Sequence, residues 1–190
     1  KKKKIFGVLI QNAEILLKPK GKIIIDSLES FKNEGIIKKI GVSIYDFRTL
    51  EKILDNQIKF DFVQVPYNIF DRRFKNQQLS TKLKKRKIQV HARSIFLQGL
   101  LIQDNITLPK KLIKLEKALN KWNLWLNKKK INPIHACLDF VLRNKNIDKI
   151  VVGVNHKDNL KDILKFKKVN NSLNKFNLKI NKNLLDPRVW

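Results

Sequence analysis

Ile37-Lys38-Lys39-Ile40-Gly41-Val42-Ser43, then Asp46 and its followers, then Phe60-Asp61-Phe62-Val63-Gln64-Val65 form the stretch that decides the fold. The two runs are short, rich in β-branched and aromatic residues, and read as strands. Between them Asp46 predicts a helix N-cap, and Phe47, Leu50 and Leu54 follow at helical spacing with one apolar stripe. A strand, a helix and a second strand in that order make the crossover unit of a parallel sheet.

The same alternation continues outward. Ile5–Ile10 (IFGVLI) is a near-continuous apolar run, as expected of a strand buried on both faces. Pro19-Lys20-Gly21 punctuates, and 22–32 places Ile24, Leu28 and Phe31 on one helical stripe, with Gly35 suited to the C′ position. On the other side, a polar, basic stretch to Arg86 predicts a helix with Leu79 and Leu83 inward, and 87–92 (KIQVHA) predicts the next strand. Leu112, Leu115, Leu119, Trp122 and Leu126 recur at alternating spacings of three and four, a long helix. Flanking strands favour packing on a sheet over a coiled coil. Asn132-Pro133 reads as an N-cap and N1 proline opening a helix with Ile134, Cys137, Leu138, Val141 and Leu142 apolar. A strand over 149–154 and a helix over 157–166, with Leu160, Ile163 and Leu164 inward, follow. The remainder, 167–190, is Asn- and Lys-rich and reads as a tail packed on a surface. Strand–helix alternation over five strands predicts an α/β fold with a parallel sheet.

A length of 190 residues with 43% apolar content suffices for one domain with a real core. No apolar run reaches the roughly 18–20 residues of a membrane helix. The basic, briefly apolar start lacks a small-residue cleavage site, so no secretory leader is expected. Cys137 is the one cysteine; it excludes an internal disulfide, fits a reducing, cytoplasmic setting, and sits in an apolar pattern as a buried small residue. The sequence contains no methionine, which predicts a trimmed or partial chain. The formal charge of +26, from 42 basic and 16 acidic residues, raises a polyanionic partner. The excess is nearly all lysine, spread along polar helix faces beside abundant Asn and Ile, as AT-rich coding produces. Salt-sensitive, nonspecific polyanion binding is expected, and no specific nucleic acid or membrane partner.

His91, His135 and His156 show no metal-ligand spacing, so no metal site is expected. G-x-S-x-G and both common phosphate-loop signatures are absent. The informative residues close the strands: Gln11-Asn12, Ser43, Gln64, Arg93-Ser94 and Gly153-Val154-Asn155. Any one of them could merely finish a strand or cap a helix. Polar groups ending one parallel strand after another are what a ligand site over a barrel mouth requires.

Ile40-Gly41-Val42-Ser43, Phe62-Val63-Gln64-Val65-Pro66-Tyr67-Asn68 with Asp71-Arg72-Arg73, and His91-Ala92-Arg93-Ser94-Ile95-Phe96-Leu97-Gln98-Gly99 carry a family resemblance. With Ala136 to Leu142, Val151-Val152-Gly153-Val154-Asn155 and Asn159-Leu160, the chain resembles the aldo/keto reductases along nearly its whole length. The Arg-Ser-x-Phe-Leu-Gln-Gly form is similar to a branch found near bacterial surface-sugar biosynthesis genes. The resemblance implies a partial TIM (β/α)8 barrel, strands four to eight with their helices. It would be a single domain over 1–190 lacking its N-terminal strands, with 167–190 as a tail on the barrel.

The implied function is the C-terminal portion of an NAD(P)H-dependent reductase that turns a small-molecule carbonyl into an alcohol, inactive alone. NADP(H) is the family's usual cofactor and NAD(H) the alternative. Ser43 and Gln64 would hydrogen-bond the nicotinamide carboxamide, which needs both a donor and an acceptor. Arg93 stands where many members stack an aromatic residue. Ser94, Phe96 and Gln98 would line the pyrophosphate and ribose path, and Gly153, Val154 and Asn155 the adenosine end. Gly153 and Asn159 stand where members place a Lys or Arg on the 2′-phosphate; Lys157 or His156 would substitute, while Ile163 replaces an adenine-contacting Asn. Of the family's catalytic Asp, Tyr, Lys and His, the first three have no counterpart in this chain. Gln11 holds the His position and can donate a hydrogen bond but cannot become cationic. Open sheet edges imply poor stability alone and a partner, either a missing N-terminal half or another copy of the chain. A noncatalytic cofactor-binding relative, favoured by Gln11, and a basic nucleic-acid-binding protein, favoured by the charge, are the competing expectations.

Overall fold

Five strands lie side by side in chain order in the computed structural model: β1 (Ile5–Ile10), β2 (Ile37–Ser43), β3 (Phe62–Pro66), β4 (Gln89–Arg93) and β5 (Lys149–Ile150). The structure describes residues 4–104, 107–169, 173, 176, 178 and 180–190. β1 pairs with β2, and β2 with β3, in parallel. Helices α1 (Pro19–Asn33), α2 (Phe47–Asp55), α3 (Gln77–Lys85), α4 (Glu116–Lys129), α5 (Pro133–Leu142) and α6 (Lys157–Leu164) are placed as an α/β alternation requires, two of them between β4 and β5. The chain forms two compact units, 1–66 with 73–91, and 67–72 with 92–190.

In the first unit the strands divide their side chains by parity. Ile40, Val42, Val63 and Val65 point to one face and are fully buried, as are Leu50, Ile53 and Leu54 of α2 and, nearly so, Leu79 and Leu83 of α3. The other face carries Gly7, Lys39, Gly41, Phe62, Ser43 and Gln64, aligned by the pairs Gly7↔Lys39, Gly41↔Phe62 and Ser43↔Gln64. The Phe62 ring lies over the two glycines and stacks on His91 at 4.7 Å between centroids.

Local chemistry sets the joints. Gly35 ends α1 at φ +71°, its N–H donating to Lys32 O and the next N–H, of Ile36, to Phe31 O. These are the two bonds of a Schellman cap. The Asp46 carboxylate accepts from Arg48 N at 3.0 Å and starts α2. Asp46→Ala is expected to cost about 1 kcal/mol, read as a shift in urea midpoint at constant slope. Asp61 binds Lys32 Nζ through both oxygens at 2.7 Å and accepts from Ile40 N at 2.7 Å, clipping α1 to the start of β3.

The α1 stripe differs from expectation. Phe31 is 45% exposed, Ile24 and Leu28 are half-buried, and Gly21 is the buried residue. A Cβ on Gly21 would lie 2.5 Å from Leu16 O, so the helix presses its N-terminal turn, not its apolar stripe, against the short 3-10 helix Ala13–Leu17. Periodicity locates a stripe but not the neighbour that covers it.

In the second unit the Asn132 carboxamide accepts from Ile134 N and His135 N, and Pro133 opens α5 as expected. Leu112, Leu115, Leu119, Trp122 and Leu126 are all buried, but the first two belong to a 3-10 helix, Lys110–Leu115, ahead of α4. Their spacing of three suits a 3-10 turn, in which residues i and i+3 eclipse. Leu142, one of the apolar residues of α5, is exposed. β5 is shorter than the predicted 149–154: Val151 N still bonds Ala92 O at 2.8 Å, and beyond it Val154 is exposed. Helix α6 has no buried residue, and Leu164 is 76% exposed, against the expected inward stripe.

Two arginines hold the end of the chain. Arg143 Nη2 donates to Val169 O at 2.7 Å while its Nε pairs with the buried Asp139 at 2.6 Å. Arg72 lies over the Phe140 ring and donates to Ile69 O, Leu173 O and Phe176 O. Val169, Leu173 and Leu185 are buried; residues 170–172, 174, 175, 177 and 179 of the predicted tail lie outside the described residues. Among the described residues no helix is long and apolar enough to cross a membrane.

Candidate functional site: the C-terminal ends of the strands

Within the first unit, Ser43 and Gln64 are register partners at the ends of β2 and β3. Their side chains therefore leave adjacent strands on the same face. Ile44 N donates to Gln64 O at 3.0 Å and continues the pairing past the last strand residue. Ser43 is buried and Gln64 half-buried. One hydroxyl and one carboxamide side by side can offer a planar amide ligand both donors and acceptors. Gln11 follows Ile10, whose partner is Val42, so it stands at the same end of the sheet, exposed. Asn12 turns away to cap the 3-10 helix, its carboxamide accepting from Glu14 N.

Within the second unit, Arg93 closes β4 and donates to Ser94 Oγ at 3.2 Å. The loop that follows is unusual. Ser94, Leu97 and Gln98 have φ of +56°, +47° and +55°, and Gly99 has +88°. Left-handed conformations in non-glycine residues cost about 1–2 kcal/mol each and persist where surrounding contacts impose them. Here Ile95 and Leu97 are fully buried anchors, and Phe96 is nearly so. Leu97 N closes on Ser94 O, Gly99 N and Leu101 N on Phe96 O, and Leu100 N on Leu97 O. Among the described residues, these turn bonds leave the N–H groups of Ser94, Ile95, Phe96 and Gln98 unused. Successive N–H groups beside a left-handed residue form a concavity that suits an anion. The Gln98 side chain is exposed.

Val151 N on Ala92 O sets the residues after β5 beside β4, so Gly153, Val154 and Asn155 leave the sheet at the same end as Arg93; all three are exposed. Lys157 and Asn159 lie in the first turn of α6. That turn is capped by His156 Nδ1, which accepts from Asp158 N. The Asp158 carboxylate lies 3.1 Å from His156 Nδ1 and 3.2 Å from Lys161 Nζ. The fold thus gathers Ser43 with Gln64, and Arg93, Ser94, Phe96 and Gln98 in one loop. Gly153 to Asn159 follow on a separate segment.

Asn68 carried no role in the sequence reading. Its carboxamide joins the turn after β3 to the carbonyl of Ser94. An asparagine two residues past a strand end is an Asx-turn signal, and it was legible as that alone. Burial raises the Cys137 thiol and the Tyr67 hydroxyl above their usual ranges and lowers the Arg72 guanidinium. A buried thiol kept protonated is a packing group, not a nucleophile. No cluster of three or more metal-ligating side chains occurs among the described residues.

Comparison with known proteins agrees with this layout. The sequence model of the aldo/keto reductase family matches residues 22–179. No curated protein matches the sequence. Among solved structures, the aldo-keto reductase AKR11C1 of Bacillus halodurans is similar in its holo form, with a TM-score of 0.64 and 18% identity over 85% of this chain and 55% of that one. Its apo form gives 0.67 and 16% over 91% and 60%. A thermostable aldo-keto reductase solved with the inhibitor epalrestat gives 0.55 and 21% over 96% and 57%. The chain spans 55–60% of the length of these solved relatives. Its 190 residues, by the family match over most of their length, belong to the aldo/keto reductase family.

Proposed function

We propose that this chain is the cofactor-binding portion of an NAD(P)H-dependent aldo/keto reductase, one domain corresponding to strands four to eight of the barrel. The observation that carries the reading is the left-handed loop 94–99 at the end of β4, whose unused N–H groups suit a pyrophosphate. The pairing of Ser43 with Gln64 on one face supports their reading as the carboxamide-binding pair. The bound dinucleotide would supply the hydride that reduces a small-molecule carbonyl. Within the first unit, Ser43 and Gln64 would hydrogen-bond the carboxamide; within the second, Arg93 would offer a guanidinium plane for stacking, and Ser94, Phe96 and Gln98 would meet the phosphates. Gly153, Val154, Asn155, Lys157 and Asn159 would receive the adenosine end. NADP(H) is the family's usual cofactor, and NAD(H) is compatible with the carboxylate of Asp158 in the first turn of α6.

Gln11 can donate a hydrogen bond to a carbonyl oxygen but holds no transferable proton. The chain alone is therefore inactive in this reading, and a partner that supplies the proton donor, either a further polypeptide segment or another copy of the chain, completes it. Ile5 and Phe6, both more than half exposed on the β1 edge, favour such a partner. The single buried thiol fits a reducing, cytoplasmic setting. Gln11 equally favours a second reading, a cofactor-binding relative without turnover. Assembly of the full barrel followed by an aldehyde assay separates the two.

Titrating the chain with NADPH and with ADP-ribose at about 0.15 M salt tests the site itself. Nonspecific attraction to the +26 chain weakens at that ionic strength. Ser43→Ala is expected to weaken NADPH about five-fold, the worth of one hydrogen bond, and to leave ADP-ribose unchanged. Equal loss for both ligands would remove Ser43 from the nicotinamide end.

A further inference from the structure

The left-handed loop is held from outside as well as from within. We infer that Asn68 is a positioning residue that aims the backbone N–H groups of loop 94–99 at the cofactor's pyrophosphate, an inference that rests on the proposed function.

Asn68 is fully buried at the turn after β3. Its Oδ1 accepts from Phe70 N at 2.9 Å and Asp71 N at 2.8 Å, and its own N–H donates to Asp71 O at 3.0 Å. The carboxamide is thereby locked, and its Nδ2 has one direction left, toward Ser94 O at 2.9 Å. Just before it, Tyr67 N donates to Arg93 O at 3.2 Å. A main-chain bond and then a side-chain bond therefore tie 67–68 to 93–94, where the sheet pairing ends.

The consequence follows from peptide geometry. The carbonyl of Ser94 and the N–H of Ile95 share one planar trans unit and point in opposite directions. Two donors, Asn68 Nδ2 and Leu97 N, draw the Ser94 oxygen toward the protein. The Ile95 N–H must then face away from it, toward the concavity. Leu97 closes the turn, but it belongs to the loop and would move with it. Asn68 is the donor that belongs to a different segment, so it fixes the peptide plane against the rest of the unit.

Two variants separate positioning from general support. Asn68→Asp keeps both accepted bonds of the turn and replaces the Nδ2 donor by an oxygen facing Ser94 O. Asn68→Ser keeps a short acceptor for the turn but cannot reach Ser94. Each is compared with the unaltered chain by ADP-ribose calorimetry and by amide hydrogen exchange. The expected result is at least a ten-fold loss of ADP-ribose affinity and at least ten-fold faster exchange at the bonded loop amides of Leu97 and Gly99, with α4 and α5 unchanged. Unchanged exchange in the loop, or unchanged affinity in a chain that binds ADP-ribose, overturns the inference. Global unfolding of both variants also overturns it, because the role is then support of the whole unit. If the unaltered chain binds no ADP-ribose, the proposed function fails and the inferred pyrophosphate role fails with it. Loop exchange in the variants still reports whether Asn68 holds the peptide plane, so the two failures are distinguishable.

Discussion

Gly41→Ala is expected to destabilise the chain by about 3 kcal/mol, the upper end of what a single added methyl costs in a packed core. A Cβ at this position would stand 2.2–2.6 Å from three atoms of the Phe62 ring. Real contacts of that length do not occur, so the ring or the strand must move. The ring cannot turn aside freely, because Phe62 is buried and its other neighbour is the stacked His91 ring at 4.7 Å. Nor can β2 retreat, since its neighbours Ile40 and Val42 are fully buried on the opposite face. A Cβ on Gly7, on the next strand, would lie 3.3 Å from the same ring, a tight contact rather than an overlap, so its alanine variant should cost distinctly less. The check is a pair of urea titrations and a rescue. Phe62→Leu destabilises alone, but in the Gly41→Ala background it should recover part of the loss. Additive effects in that cycle would show that the methyl and the ring do not meet.

Trp122→Ala should be costlier still, about 3–5 kcal/mol, as for other fully buried aromatic residues truncated to alanine. Trp122 has no exposed surface, stacks on Trp125 at 5.6 Å, meets Phe176 edge-on at 5.1 Å, and donates its indole N–H to Leu101 O at 3.0 Å. Truncation opens a cavity, removes two ring contacts and strands the Leu101 carbonyl. Trp122→Phe isolates the last term: it keeps most of the apolar volume and should cost about 1–3 kcal/mol through the unpaired carbonyl and the smaller ring. Thermal melts followed by circular dichroism read both, at roughly 2–4 °C per kcal/mol for a chain of this size. A Trp122→Ala midpoint within a few degrees of the parent would mean that the aromatic cluster adds little to the second unit.

Much of the fold was readable because its signals are local. Ile37–Ser43 is a strand at both predicted ends, Asp46 and Asn132 cap the helices they were expected to cap, and Gly35 turns left-handed after α1. Each of these depends on bonds between residues a few positions apart, so residue type and spacing suffice. The strand-end polar residues were readable for a related reason. A parallel α/β order places all strand C-termini at one end, and Ser43 beside Gln64 follows once both strands are recognised. The buried stripes of α2, α3 and α4 were equally plain.

Burial at the periphery was not. The pattern assigned Leu160 and Leu164 to a covered face, and both are exposed. A stripe shows that a helix has an apolar side; what lies against that side is a property of distant segments. The same holds for β5, where an apolar sequence meets its partner strand through only a short ladder.

The sequence by itself determined the alternation of elements, the caps at Asp46, Asn132 and Gly35, the family, and the end of the strand at Ser43. Those properties arise from backbone preferences and from hydrogen bonds that span a turn or less. Tertiary structure alone decided three things: that Gly41 must be glycine because an aromatic ring from the next strand lies on it, that Ser94, Leu97, Gln98 and Gly99 take positive φ, and that Asn68 reaches across 26 positions to hold that loop. Each is a contact between segments whose meeting is set by the packing of the whole sheet, and no spacing along the chain encodes the distance between them.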